Sequence, residues 1–474
     1  MSSVALAFAA IRPHIILYAL AATVSLVGIN IHLGVTLYLS RVFILLFLIS
    51  ILIRAAVGKS VRFPSGFLAA FLVLFALILF FQVTSVFFSS RIPDGLRQIS
   101  IYLSAMALFV VVIVLGDSTE AIVKAIKVYL VTGLVQGLYG LYQVVGSPFG
   151  WPTYQTLMAG IPTANDRTLD GYVYSSIYQT FRATGFFPAD VSHYAGYMAG
   201  VLILAIALMV HNRRLLLPYV VLVFGSMGLI FSLSRSGLLA FIVFGLPSLF
   251  FLLSRIRPVA RVLYRSFAIP GLLALILVGV VGPVVLSSSN IDLPNPAEII
   301  SSRLDDLFEP SSTTGESMGE HVATRLAGLD ATASSPLIGV GLGVNASPWY
   351  SQRYERGWAG SHSHHLDILG QTGIIGAVLQ FLFMFLVGAY MWRGLLAKRD
   401  RSLERHLLAG LLAAYIAIIF GNFMYSYFLN DFVWLLMGCG VALSRLQILD
   451  ARKERIARTR DLSGTVQPVN TVPC

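Results

Sequence analysis

Residues 360–365 read Gly-Ser-His-Ser-His-His and close a long polar stretch, 288–365, that also carries Arg303 and Arg325. An imidazole titrates near about pH 6.5 and accepts a proton without help from a metal, so one of these histidines suits a general base. His362 stands four residues before Leu366, where the next apolar run begins, and can face a cleft there. Metal binding is the competing reading. His-x-His-His lacks the i, i+4 pair of a zinc helix, and no Cys or Glu supplies an evident remaining shell. No metal and no cofactor are expected.

Arginines supply the other chemistry. Arg235 lies in Ser234-Arg235-Ser236-Gly237, a tight turn between two apolar runs that opens a helix. Free backbone N–H groups, the positive dipole end and a guanidinium would meet there, which suits an anion. The plainer alternative is a snorkelling arginine at a membrane boundary. Arg41 lies inside an apolar run, and Arg182 stands just before another, in Arg182-Ala183-Thr184-Gly185-Phe186. Arg303 and Arg325 are either solvated loop residues or ligands of a phosphate, for which the guanidinium fork is well shaped.

These residues must be positioned by helices in a membrane. The chain of 474 residues is 57% hydrophobic and 12% charged, with a mean hydropathy of +0.80, against about 25% charged for a soluble domain. A spanning helix needs about 20 apolar residues. That rule predicts an all-α, polytopic membrane protein of about twelve spans, near 14–31, 35–53, 65–88, 98–116, 121–145, 192–210, 215–232, 236–253, 266–287, 366–392, 407–427 and 430–446. Nine spans thus precede the polar stretch and three follow it, giving segments 1–287, 288–365, 366–448 and a tail, 449–474, that reads as disordered.

Placing the N-terminus inside puts 23 of the 33 basic residues on the inner side, as the positive-inside rule requires. The net charge of +11 is then topological, and no nucleic-acid partner is implied. Both termini face the cytoplasm, while 146–191 and 288–365 face outward. The first span reads as an uncleaved anchor. Cys439, within a span, and Cys474, at the end of the chain, predict no structural disulfide. Pro336-Leu337-Ile338-Gly339-Val340-Gly341-Leu342-Gly343 predicts a turn with unusual backbone angles or close backbone approach. It lacks the strand–turn–helix setting and downstream acid of a dinucleotide site.

In order and sidedness, these motifs resemble the O-antigen ligase/polymerase superfamily of bacterial envelope glycosyltransferases. Ser234-Arg235-Ser236-Gly237 is similar to the family's outward Ser-Arg turn. Arg303 and Arg325 fall where its loop arginines do, and Pro336–Gly343 matches its glycine stretch. His362 takes the family histidine position, with Leu366, Gly373 and Gly376 in register. Thr184-Gly185-Phe186 with Tyr194-Ala195-Gly196-Tyr197 resembles the start of the family's mid-chain helix. Ser363 replaces a usual Asn, Gln371 a usual Glu, and 189–192 covers a usual Asn-Pro.

The resemblance implies a GT-C-like enzyme of the bacterial inner membrane with a periplasmic active site. Its donor would be an undecaprenyl-diphosphate-linked glycan, and its acceptor a carrier-linked glycan or lipid A-core. His362 would be the base, Arg235 and Arg325 would stabilise the diphosphate, and Arg303, Arg182, Arg41 and His365 would bind substrate. The reaction would be inverting and metal-independent. Polymerase, ligase and protein-glycosylating relatives share these motifs, and the reading leans to polymerase. A transporter or flippase of an anionic lipid-linked saccharide is the alternative; the concentration of polar motifs in one external loop argues against it.

Overall fold

The computed structural model describes residues 14–27, 30–32, 36–56, 66–89, 92–146, 151–152, 173–175, 180–187, 191–256, 315–343, 361–398, 400 and 402–464. The expected ninth span, 266–287, lies outside them, as does Arg303.

The described chain is helical apart from two antiparallel pairs of three-residue strands. They are β1 (Asn30–His32) with β2 (Thr36–Tyr38), and β3 (Val173–Ser175) with β4 (Thr180–Arg182). The helices are α1 (His14–Thr23), α2 (Leu39–Ala56), α3 (Phe67–Val86), α4 (Ile92–Leu115), α5 (Thr119–Gly146), α6 (Val191–His211), α7 (Leu216–Phe231), α8 (Arg235–Ser254), α9 (Gly315–Ser334), α10 (His364–Ala397), α11 (Leu403–Gly421) and α12 (Asp431–Gly464). Lipid offers the backbone no hydrogen-bond partner, so apolar runs of this length must satisfy their peptide groups internally, as helices do.

Among the described residues eight helices are long and apolar enough to cross a membrane: α3, α4, α5, α6, α8, α10, α11 and α12. The expected spans at 14–31, 35–53 and 215–232 are shorter apolar helices, His14–Thr23, Leu39–Ile53 and Leu216–Phe231. α6 is the central post. Its apolar window is 94% buried, against 33% for α8 and 39% for α10, which present side chains outward. α5, α7, α8 and α11 surround α6. A second group joins α3, α4, α10 and α12 through Phe71, Phe75, Phe109, Phe383 and Trp434, whose rings meet edge-on or tilted, except Phe383 and Trp434, which stack at 5.5 Å. Between lipid-solvated helices it is such packing, more than water exclusion, that holds a bundle together.

Three expected boundaries are corrected. The span at 407–427 ends at Gly421, and 422–430 is a loop. The span at 366–392 is interrupted, because Gly373 (φ 67°, ψ −173°) divides α10 into 364–372 and 374–397. The tail read as disordered continues α12 as far as Gly464, and 465–474 lies outside the described residues. Its alternating charges pair at helical spacing and across to α10. Lys398 Nζ is 2.9 Å from Glu454 Oε1, and Lys453 Nζ is 4.0 Å from Asp450 Oδ1.

Candidate active site

The 422–430 loop gathers the chemistry-bearing residues at one end of the bundle. Asn422 is fully buried and organises it. Its Oδ1 accepts the N–H groups of Tyr427 (2.8 Å) and Phe428 (3.0 Å). Its carbonyl accepts His364 N–H (3.0 Å) and Ser363 Oγ–H (3.3 Å) from the start of α10. Tyr427 Oη donates to Ser236 Oγ at 2.7 Å, which ties the loop to the turn that carries Arg235.

That turn is built from hydroxyls. Ser234 caps α8 by accepting Gly237 N–H (3.4 Å), and its Oγ lies 3.1 Å from Ser236 Oγ and 3.3 Å from Ser192 Oγ. Leu233 adopts a left-handed φ of 50°, a conformation that L side chains rarely take. Arg182 secures the turn from outside. Its Nε–H donates to Ser232 O (2.9 Å) and its Nη2 to Leu233 O (3.1 Å). Gln143 of α5 in turn holds the segment after Arg182, its Oε1 accepting the N–H groups of Thr184 (3.1 Å) and Gly185 (2.8 Å). Arg182 thus has a positioning task that its sequence setting did not announce. Immediately beyond the turn, α8 widens into a π-helical segment, Ala240–Gly245, a geometry common beside functional sites.

The three histidines separate by environment. His364 is buried, stacked on Phe428 at 4.8 Å, with Nδ1 3.4 Å from Ser426 Oγ. His365 donates Nε2–H to Ile419 O at 3.0 Å and packs against Phe423 and Phe381. It stands at one end of an apolar groove of about 770 Å³ between α8, α10 and α11, lined among others by Phe381, Phe385, Trp392 and Phe423. His362 is half-buried in the turn before α10, with φ 51° and its ring 5.9 Å from that of Tyr425. Asp367 clamps this turn, its Oδ1 accepting Ser361 N–H at 2.9 Å and lying 2.7 Å from Ser361 Oγ. Tyr425 also meets His193, whose Nε2–H donates to Ser426 O at 2.9 Å.

Arg325, on α9, reaches the same loop, with Nη2 3.5 Å from Met424 Sδ and its buried Nε without a hydrogen-bond partner among the described residues. A thioether is a weak acceptor, so this guanidinium keeps capacity for an anion. Arg41 lies at the same end. Its guanidinium carbon is 4.5 Å from the centre of the Tyr38 ring, and the neighbouring Ser40 donates to Asp431, the first residue after the loop.

The glycine run has the close backbone approach expected of it. Gly339, Gly341 and Gly343 have φ of 75°, 116° and 105°. Pro336 O and Leu337 O accept Ile374 N–H (2.8 Å) and Ile375 N–H (3.4 Å), while Gly370 O and Gln371 O accept Val340 N–H (2.9 Å) and Gly341 N–H (3.2 Å). The peptide groups freed by the break at Gly373 are therefore taken up by this turn. A Cβ on Gly373 would fall 2.3 Å from the Leu337 carbonyl carbon, and one on Gly339 would fall 2.2 Å from that of Gln371.

His362 and Arg325 thus approach 422–430 through Tyr425 and Met424, and the turn that carries Arg235 is tied to it through Ser236 and Tyr427, with Arg182 and Arg41 at its margin and His365 turned toward the groove. Sequence reasoning missed His193, Asp367 and the loop itself. Asn422 and Asn430, bracketing two tyrosines between apolar runs, were the available signal.

The class defined so far is a multi-pass helical membrane protein with an arginine- and histidine-bearing site at one end. A family model described as O-antigen ligase matches residues 220–381. That match supports membership of the O-antigen ligase/polymerase superfamily, and with it an enzyme of the glycan-transferring class. It contains Arg235, Arg325, His362, the glycine run and the break at Gly373; Arg41, Arg182 and 422–430 fall outside it. No curated protein matches the chain.

Proposed function

We propose that this protein transfers a glycan from an undecaprenyl-diphosphate carrier to an acceptor hydroxyl at the periplasmic face of the bacterial inner membrane, with inversion and without a metal. The observation that carries this reading is the convergence of His362, the Arg235 turn and Arg325 on one loop.

His362 takes the proton of the acceptor hydroxyl as its oxygen attacks the anomeric carbon. The bond from that carbon to the diphosphate oxygen breaks, and the diphosphate leaves with the electron pair. Arg235 and Arg325 offset the charge that develops on it, which is where preorganised cations lower a barrier most. Of the three neighbouring histidines His362 suits the base, since His364 and His365 are packed among aromatic rings. Arg303 and Arg41 assist in binding, and Arg182 acts through the turn it holds. The groove beside His365 suits the isoprenoid chain of the carrier: its lining is apolar apart from Ser248, His365 and Tyr415, and its His365 end adjoins the site.

The test uses purified protein in nanodiscs with carrier-linked oligosaccharide, EDTA present, and two competing acceptors, a second carrier-linked repeat and lipid A-core. Longer carrier-linked glycans identify a polymerase, the outcome we expect, and glycan on lipid A-core identifies a ligase. Transbilayer movement of the lipid-linked saccharide with no new glycosidic bond would replace this reading with the flippase one.

A further inference from the structure

The opposite end of the bundle holds a second site, and its chemistry is different. α10 and α12 run side by side away from the candidate active site. Gly394 abuts Ser444 so closely that a Cβ on Gly394 would fall 2.4 Å from the Ser444 Cβ. Just beyond this contact they part around a cleft of about 420 Å³ lined by Arg393, Leu396, Ala397, Ile448, Ala451, Arg452 and Arg455. Three guanidinium groups surround an apolar floor, and none of the lining residues is acidic.

Helical spacing explains the segregation of charge. Ile448, Arg452 and Arg455 lie four and three residues apart and share a face of α12, joined one turn earlier by Arg445. Asp450 and Glu454 lie beside this face rather than on it, and reach across to Lys398 Nζ at the end of α10 at 3.8 and 2.9 Å. The nearby acids are thus engaged by lysines, and the arginine face is left for an external anion.

The depth of the cleft identifies that anion. About 20 residues of helix cross a hydrocarbon core, and counting from Asp431 reaches Asp450, level with the cleft. The three arginines therefore stand where phospholipid headgroups lie, on the face opposite the candidate active site. Arginine forks match phosphodiester oxygens, and basic pockets between the ends of spanning helices are a known form of lipid recognition.

We propose that this cleft binds the headgroup of an anionic phospholipid from the surrounding bilayer. Arg393, Arg452 and Arg455 hold the phosphodiester, while Leu396, Ala397, Ile448 and Ala451 meet the carbons beneath it. The proposal rests on α10 and α12 spanning the membrane and does not depend on glycan transfer.

Native mass spectrometry of the detergent-purified full chain, titrated with phosphatidylglycerol, phosphatidylcholine or glycerol 3-phosphate, tests it. The expected result is retention of at least one phosphatidylglycerol under conditions that strip phosphatidylcholine, with a rise in melting temperature that only phosphatidylglycerol produces. R393Q/R452Q/R455Q should weaken this binding about tenfold or more, as loss of charge-assisted hydrogen bonds requires. Ala451→Trp, which fills the floor and keeps every charge, should weaken it too and serves if the triple variant does not fold. Equal retention of phosphatidylcholine, an equal melting shift with glycerol 3-phosphate, or undiminished phosphatidylglycerol binding in Ala451→Trp would overturn the proposal.

Discussion

The two ends of the bundle use arginine in opposite ways. At the site end Arg182, Arg235 and Arg325 are half-buried, and each comes from a different part of the chain to meet a loop, a turn or a carbonyl. At the far end Arg393, Arg452 and Arg455 are exposed and ride on two regular helices, ordered by helical period alone. A half-buried guanidinium held by its surroundings cannot follow its ligand, so it discriminates by position. An exposed one on a flexible stem adapts, and discriminates mainly by charge. On the two readings proposed above, the same residue type serves a directed reaction at one end and attachment at the other.

The sharpest break in this comparison comes from single substitutions. Arg235→Ala, Arg325→Ala and His362→Ala should each lower the transfer rate by about 10²–10³ or more, with expression retained. R393Q/R452Q/R455Q should leave transfer in matched nanodiscs unchanged, and a shared loss of rate would dissolve the distinction between the ends. Next in size is Asp367→Ala, which leaves the buried Ser361 N–H unmet at a cost of about 1–3 kcal/mol. If the clamp serves His362, that cost appears in kcat, with KM for the carrier little changed; a fall in melting temperature at constant kcat would make Asp367 purely structural. Gly373→Ala should destabilise by about 1–3 kcal/mol from its backbone conformation alone, and more from the approach to Leu337, as read by thermal melting in detergent. The smallest effect belongs to His364→Phe. It should lose about 1 kcal/mol of stability with the Ser426 hydrogen bond and keep the transfer rate, whereas loss of transfer would move the base from His362 to His364.

Much of the architecture was legible because lipid imposes a coarse rule on composition. Runs of about 20 apolar residues had to be helices, and α3–α6 and α8 fall where those runs are. The rule fails where side chains and backbone disagree. Phe423, Met424, Tyr425 and Tyr427 are apolar enough to extend a span, yet the chain there is a loop, closed by Asn422 Oδ1 on the peptide N–H groups of Tyr427 and Phe428. Gly373 inside an apolar run reads as a tolerated glycine, and only the docking of 336–343 against it creates the break. The candidate site divides in the same way. His362, Arg235 and Arg325 were legible by type and order. The role of Arg182 was not, because its partners are the carbonyls of Ser232 and Leu233, which carry no mark in the sequence. Nor was that of Asp367, whose partner is a serine six residues earlier in an unassuming turn.

The joint at Gly373 has a consequence for how this site can vary. The start of α10, which carries the turn of His362, is fastened to the glycine run chiefly by peptide groups, through Pro336, Leu337, Val340, Gly341, Gly370, Gln371, Ile374 and Ile375. A lock made of main chain is nearly blind to side-chain identity. It asks only that 339, 341 and 373 carry no Cβ, and it leaves 338, 340, 374 and 375 free to drift among residues of similar size. Those positions can change while the angle at which the histidine turn is presented stays fixed, so the geometry of the turn is protected from drift in the side chains around it.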